Sequence, residues 1–574
     1  MPLCHPLMIA ETLVCLLLVL GVAFGLSRPF IGRFNLGPAE ALVAGAALSL
    51  LTAWIYAWVV FTSGAPLVAY SALPLLACVF LVVGRRGVVQ LFRDPSARDL
   101  AVGQLIVTLW SVCWLAFIAS YSGGAWTGDF IEHWQRALYF LRSWPEPLFI
   151  EQYSLPARPP LANVLAAAFL QMTKVDYAHL QVVMTALASL AYLPVALLAG
   201  RFGGRIAIRI AALLVMLNPL FIQNATYPWT KLQAAFFILT GLYFFLRVRD
   251  SDRGSPAAAI VCALSLGAAV VTHYSSGPYV VVLVVAWMVL GSRWKWDAAY
   301  TRTTLRSAAA GACVLAPWFA WSVAKFGVRG TFLSNTSVSM LEHAPGSPPV
   351  IMLLNLRDSL IPPQLRGFHG TLFRQTSPWG SLRDQLFLVY QLNPLLALGS
   401  VGWACAIVQA IKACTAAPRR ERNFWLWSLA GVVAISIATY GDRDHYGTGH
   451  ICLQATVLGG LAFIASRWSS LGQGWRIALA AGCLVDLALG ICLQFGVESF
   501  ALDRWLAPGR SVGEFLASYA VVTQGNLRWK IIAHLSYFAD NLTTPPALML
   551  ALMAAILWMA LVRARSVPGE PRRP

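Results

Sequence analysis

The stretch Thr127–Pro147, "TGDFIEHWQRALYFLRSWPEP", places two carboxylates, a histidine and an arginine within eight residues, in a chain otherwise built of apolar runs. Asp129, Glu132, His133 and Arg136 recur at spacings of three and four, so a helix carries them as one polar stripe. Phe130, Ile131, Trp134, Ala137, Leu138 and Leu141 form the opposite, apolar stripe. Trp134 and Trp144 suit the headgroup region of a bilayer, and the spacing therefore predicts a helix lying in the membrane surface. Such a helix would hold its acids against the outer edge of a membrane-embedded bundle.

The rest of the chain supplies that bundle. Of 574 residues, 58% are hydrophobic and only 11% charged, and the mean hydropathy is +0.66, too apolar for a water-soluble surface. The composition predicts an all-α polytopic membrane protein. A net charge of +18 invites a nucleic-acid partner, but Lys and Arg fall in short clusters between apolar runs, not along one face. The eleven cysteines include no CxxC pair and no metal-type Cys/His spacing, and Cys15, Cys113, Cys262, Cys405 and Cys483 lie within apolar runs as small hydrophobes. The opening "MPLCHPLMIAETLVCLLLVL" lacks the basic start of a secretory signal, so its apolar run is expected to be a retained first span.

Apolar stretches of about 17 to 27 residues place spans near 7–26, 39–61, 66–84, 101–119, 178–199, 206–222, 231–248, 256–273, 277–291, 305–324, 385–411, 424–440, 450–467, 475–495 and 546–563, roughly fifteen in all. Basic clusters at Arg85/Arg86/Arg93, Arg201/Arg205/Arg209, Arg247/Arg249/Arg253, Arg293/Lys295/Arg302/Arg306, Arg419/Arg420/Arg422, Arg467/Arg476 and Arg563/Arg565 occupy alternate connections, which marks that side as cytoplasmic. The segment 161–172 would break this alternation as a span, and after "PARPP" it is expected to be re-entrant or interfacial. The opening stretch, "NATYPWTK", "THYSSGP", loop 325–384, "GDRDHYGTGH" and loop 496–545 then share the extracytoplasmic side. Cytoplasmic nucleotide-linked substrates would be out of reach there, and the chain carries no Gly-rich nucleotide fingerprint.

Two accounts of the stripe are open. In one, Asp129 caps the helix, Glu132 completes a capping box, and Glu132 pairs with Arg136. In the other, Asp129 is a general base at the interface, where a lipid-linked substrate presents its headgroup. A span followed by "GDFIEH", then "RPPL", "NPLFIQNATYPWTKLQAAFFILTGLYFFLR" and "VVTHYSSGPYVVV" resembles the GT-C glycosyltransferases. The likeness is to the polyprenyl-phosphate-sugar-dependent kind, which includes protein mannosyltransferases and aminoarabinose transferases. It rests on motif order over residues 101–324. It implies a GT-C-like helical bundle with about fifteen transmembrane helices, a polyprenyl-phosphate-linked sugar donor, a glycan or lipid acceptor, and a bacterial inner membrane location with an extracytoplasmic active site.

That resemblance makes Asp129 the catalytic base. The family's acid in the second outer loop is replaced here by Thr230 and Lys231, with Glu132 a substitute, and a family lysine corresponds to His273. A departing lipid phosphate requires a cation, for which Lys231, His273 and Arg136 are candidates, with His133 and His445 as further substrate-binding positions. Lys231 equally suits a snorkelling role at a span end, and His273 a helix-end hydrogen bond. Asp129, Glu132 and His133 are of metal-ligand type, so a divalent metal is an open cofactor, although three residues on one helix define no site.

Residues 1–100 are expected to add N-terminal helices to the 101–324 module, whose first outer loop spans 120–177. Loop 325–384, with His343, Arg357, Asp358, Arg366, His369 and Arg374, is longer than a plain connector and expected to act as a lid, and 385–574 forms a variable distal module. Asp486 lies mid-span, where it needs a partner or water. Competing functions are a ligase moving a whole lipid-linked oligosaccharide and a transporter or flippase. The latter would place ionisable groups and broken helices near the bilayer midplane.

Overall fold

The computed structural model describes residues 6–118, 129–144, 147–149, 153–251, 255–291, 297–334, 347–362, 378–439, 449–497, 537–542 and 545–565, together with Tyr121 and Leu365. Among these residues the chain is helical and has no strand, only an isolated antiparallel bridge between Leu148 and Ser154. The principal helices are α1 (Pro6–Gly25), α2 (Pro38–Thr62), α3 (Ala72–Val83), α4 (Arg85–Arg93), α5 (Pro95–Leu115), α6 (Asp129–Phe140), α7 (Leu161–Met172), α8 (Tyr177–Ser189), α9 (Tyr192–Leu217), α10 (Pro219–Thr226) and α11 (Lys231–Arg249). They continue as α12 (Pro256–Thr272), α13 (Gly277–Gly291), α14 (Ala298–Phe332), α15 (Pro348–Leu360), α16 (Pro378–Leu392), α17 (Gly402–Ala416), α18 (Arg419–Thr439), α19 (Gly449–Ser466), α20 (Gln473–Ile491) and α21 (Pro546–Arg565).

The expected apolar stretches fall on these helices, and the chain is an all-α polytopic membrane protein. Seven helical stretches among the described residues are long and apolar enough to cross a bilayer, or eight if Leu67–Val83 and Arg85–Arg93, bent by 70°, form one span. The difference from fifteen is partly one of length, since α12, α13 and α17 stop at 17, 15 and 15 residues. The continuous stretch Tyr177–Leu217 also turns within its length, because Gly204 adopts φ 69°, a conformation that a residue with a Cβ rarely takes. Arg201, Arg205 and Arg209 flank this turn.

The core is built around α9, which packs on α5, α19 and α21, while α11 packs on α12 and α19. Small residues permit the closest approaches. A Cβ on Gly203 would stand 2.5 Å from the Ser466 carbonyl oxygen, so α9 and the end of α19 touch backbone to backbone.

Two expectations change in detail, those for 385–411 and 325–384, while 161–172 is short, as expected of a segment that does not span. The stretch 385–411, read as one span, is two helices separated by a break at 393–401, where the Asn393 side chain accepts from the Leu395 and Leu396 amides at 3.0 Å and Gly399 takes φ 97°. Asp486 of α20 fills this break, accepting from the Ser400 amide at 2.9 Å and from the Ser400 hydroxyl. Segment 161–172 is a helix about 18 Å long by its residue count, too short to span, and Leu161–Leu170 are wholly buried. Within 325–384, α14 runs on to Phe332 and α15 is helical; His343, Arg366, His369 and Arg374 lie outside the described residues, as does most of 496–545.

Candidate active site

Helix α6 is where the sequence places it, but every described side chain on it is buried, polar and apolar stripes alike. It packs against α7, and its apolar face meets aromatic side chains of the bundle: Phe140 lies 6.3 Å from Trp58 and 5.0 Å from Phe61. The expected exposed polar stripe is thereby corrected: the segment after α6 packs on it through Phe149, Ser154 and Leu155. Arg142, at φ 58°, ends the helix and turns its guanidinium onto the C-terminal carbonyls of α2, donating to Val60 at 2.8 Å and to Ala65 at 2.9 Å.

The polar stripe is organised by Glu132. Its Oε1 accepts from Arg136 Nε at 2.7 Å and its Oε2 from Arg158 Nε at 3.3 Å. Arg136 also donates to the backbone oxygens of Leu155 at 2.8 Å and Ser154 at 3.0 Å, and its guanidinium stacks 4.4 Å from the Phe149 ring centre. Burial lowers the Arg136 pKa and the Glu132 charge opposes that shift. Arg158 lies 5.6 Å from the Tyr153 ring and is 16% exposed, whereas Glu132 and Arg136 are 1% exposed. Two guanidiniums thus share one buried carboxylate, an arrangement suited to an anionic group.

Asp129 begins α6 one turn before Glu132, so its position continues the stripe; its side chain lies outside the described residues. His133, one residue round the helix, engages Asn163 of α7, with Nδ1 2.9 Å from the Asn163 Oδ1. The amide oxygen accepts, so Nδ1 carries the proton in this pairing. This contact fastens α6 to α7. Glu132 is engaged by two arginines and His133 Nδ1 by Asn163, and among the described residues no group of three His, Cys, Asp or Glu side chains is placed to hold a metal ion.

Lys231 opens α11, is buried, and sits 4.2 Å from the centre of the Trp229 ring. Trp229 packs on Tyr227 at 4.1 Å, and Tyr227 on Phe130 at 5.9 Å, so aromatic rings join the Lys231 position to the residue following Asp129. His273 ends α12 and caps the short helical turn Tyr274–Ser276: its Nδ1 accepts from the Ser275 amide at 3.2 Å and from the Ser275 hydroxyl at 2.7 Å. The Tyr274 hydroxyl in this turn accepts from Trp318 Nε1 at 3.0 Å. His445, with Asp442, Arg443 and Asp444, lies outside the described residues.

The structure therefore pairs Glu132 with Arg136, links Lys231 through aromatic rings to Phe130 of α6, and engages His133 with Asn163 of α7. Sequence reasoning missed Arg158. The available signal was its charge, since an arginine on the side poor in basic residues goes against the topological bias. It also missed Arg383, buried 5.0 Å from the Phe387 ring that packs on Trp229 at 5.9 Å.

No protein-family model matches the chain, and no curated protein does either. Among solved structures it is similar to ArnT from Cupriavidus metallidurans bound to undecaprenyl phosphate, at 14% identity and a TM-score of 0.44, over 80% of this chain and 77% of that one. The apo state of the same ArnT gives 14% identity and a TM-score of 0.44, with 80% and 76% covered.

Proposed function

We propose that this protein is an integral-membrane glycosyltransferase that moves a sugar from a polyprenyl-phosphate donor to an extracytoplasmic glycan or lipid. The observation that carries the reading is the pair of arginines converging on buried Glu132, one helical turn from Asp129. The reaction needs a base and cations together at one end of a membrane bundle.

In the proposed reaction an acceptor hydroxyl oxygen bonds to the anomeric carbon while the bond from that carbon to the phosphate oxygen breaks. Asp129 takes the hydroxyl proton, and the bond electrons leave with polyprenyl phosphate. Arg158 and Lys231 face the growing phosphate charge, and Glu132 fixes the arginine geometry. Their charges act in a buried setting, where fixed donors stabilise developing charge more than water does.

A transporter reading has its own support, since Asp486 occupies the break between α16 and α17 within the span region. Ser400 satisfies that carboxylate as a helix-capping partner would, which favours a structural role. Purified protein given a synthetic polyprenyl-phosphate sugar and candidate acceptors distinguishes the two. Release of polyprenyl phosphate with labelled sugar on the acceptor supports the transferase; counterflow in proteoliposomes without such release refutes it.

A further inference from the structure

At the opposite end of α5 from the candidate active site lies a second charged cluster. Asp99, in the first turns of α5, is 1% exposed at its side chain, and about 24 Å of helix separates it from Leu115 at the end that leads toward α6. Three arginines from two other helices converge on it. Arg205 of α9 donates to Oδ2 through Nε at 3.1 Å and Nη2 at 3.0 Å, Arg209 Nε lies 3.0 Å from the same oxygen, and Arg563 of α21 donates to Oδ1 at 3.0 Å. Arg209 also donates to the Arg563 carbonyl oxygen at 2.7 Å, which holds the two helices in register.

Locking three helices together would account for a buried cluster, but this one reaches the surface. The side chains of Arg205, Arg209 and Arg563 are 24%, 11% and 30% exposed, and Arg98 and Arg565 beside them are exposed. Immediately below, toward the middle of the bundle, the same helices turn apolar side chains outward: Leu105 of α5, and Met559 and Val562 of α21, are about half exposed. A guanidinium cluster at the membrane boundary, above an apolar helix surface, matches the two halves of an anionic lipid.

We propose that Arg205, Arg209 and Arg563 form a binding site for the phosphate of an anionic diacyl phospholipid, whose acyl chains lie along α5 and α21. The basic side of the chain is the one whose leaflet carries such lipids in the topology argued above. The same phosphate chemistry could be offered by a free anion, and the acyl surface below the cluster is what favours the lipid.

The test uses the full-length protein in a mild detergent, supplied with equal amounts of phosphatidylglycerol and phosphatidylcholine and read by native mass spectrometry and thermal unfolding. Preferential retention of phosphatidylglycerol, with a higher unfolding temperature than phosphatidylcholine gives, is the expected result. Arg205→Gln with Arg563→Gln should weaken that retention about fivefold for each arginine removed. Equal retention of the two lipids by the wild type overturns the proposal even if the double variant does not fold. So does an undiminished preference in a folded double variant. Inorganic phosphate alone giving the full stabilisation assigns the site to a soluble anion and overturns the lipid assignment.

Discussion

Glu132 sits where two arginines need it, and that makes it the residue whose loss separates structure from chemistry. Glu132→Gln leaves the buried Arg136 charge without its closest carboxylate, which typically costs about 3–5 kcal/mol. Arg158→Gln removes a partly exposed charge and leaves the 2.7 Å pair intact, so its stability cost should stay within about 1 kcal/mol, while donor affinity falls. Thermal unfolding beside donor-binding measurements checks both, and a Glu132→Gln protein as stable as wild type refutes the structural role. Asp129→Asn keeps the side-chain shape and removes the base, so transfer should fall by about 10²- to 10⁴-fold with donor binding retained. Single-turnover assays decide that point. The stripe of Asp129, Glu132 and Arg136 was legible because helical spacing alone brings it to one face. The Arg158 contact was not, because it joins residues 26 apart through an irregular segment whose course no periodicity records. His133 was legible as a polar residue but not in its direction, which Asn163 of α7 decides.

Helix ends and close crossings set the positions of the elements. Asp176 caps α8, accepting from the His179 amide at 2.8 Å and lying 2.7 Å from His179 Nδ1, with Lys174 3.2 Å away. Burial raises its pKa, but the His179 and Lys174 contacts together outweigh that and leave it below its ordinary value of 3.8. A carboxyl depressed in the folded state contributes stability that is complete above about pH 4 and lost as pH falls through the lowered folded value. Asp176→Asn keeps a capping oxygen without the charge, so its unfolding temperature should differ from wild type at pH 6 and converge with it toward pH 3. Parallel curves across that range refute the linkage. At the crossing of α9 and α19, Gly203→Ala forces a Cβ to within 2.5 Å of a backbone oxygen that no side-chain rotation can move, and about 1–3 kcal/mol of destabilisation is expected. Denaturation of the purified variant measures it. Apolar length located most helices, because a bilayer demands it. The break at 393–401 escaped notice because its polar groups are few and satisfied inside the fold, the Leu395 and Leu396 amides by Asn393 and the Ser400 amide by Asp486, distant in sequence, so the stretch still read as one apolar run.

Ion pairs divide the whole molecule into two ends. Glu40 with Arg247, Asp250 with Arg201 and Arg249, Arg249 with Glu421, and Asp99 with Arg205, Arg209 and Arg563 join the basic connections that the sequence assigned to one side. Arg142 meets the end of α2 opposite Glu40, and Glu132 with Arg136 and Arg158 lies in the stretch that follows the end of α5 opposite Asp99. Glu11 of α1 approaches His179 of α8 at 3.7 Å, so the start of the first span belongs with the second set. This agreement between charge alternation and three-dimensional contact gives a definite expectation for orientation. A single basic side in a bacterial inner membrane is the cytoplasmic one, which puts the connection between α7 and α8 outside and the connection between α17 and α18 inside. Lys174, 60% exposed at its side chain, and the exposed Arg420 mark these two connections. In intact cells a membrane-impermeant thiol reagent should label Lys174→Cys and leave Arg420→Cys unlabelled until the membrane is opened, each read against the parent protein. The reverse pattern would place the Asp129 helix on the cytoplasmic side and exclude an extracytoplasmic acceptor, whereas labelling of both sites before permeabilisation would refute the two-ended arrangement.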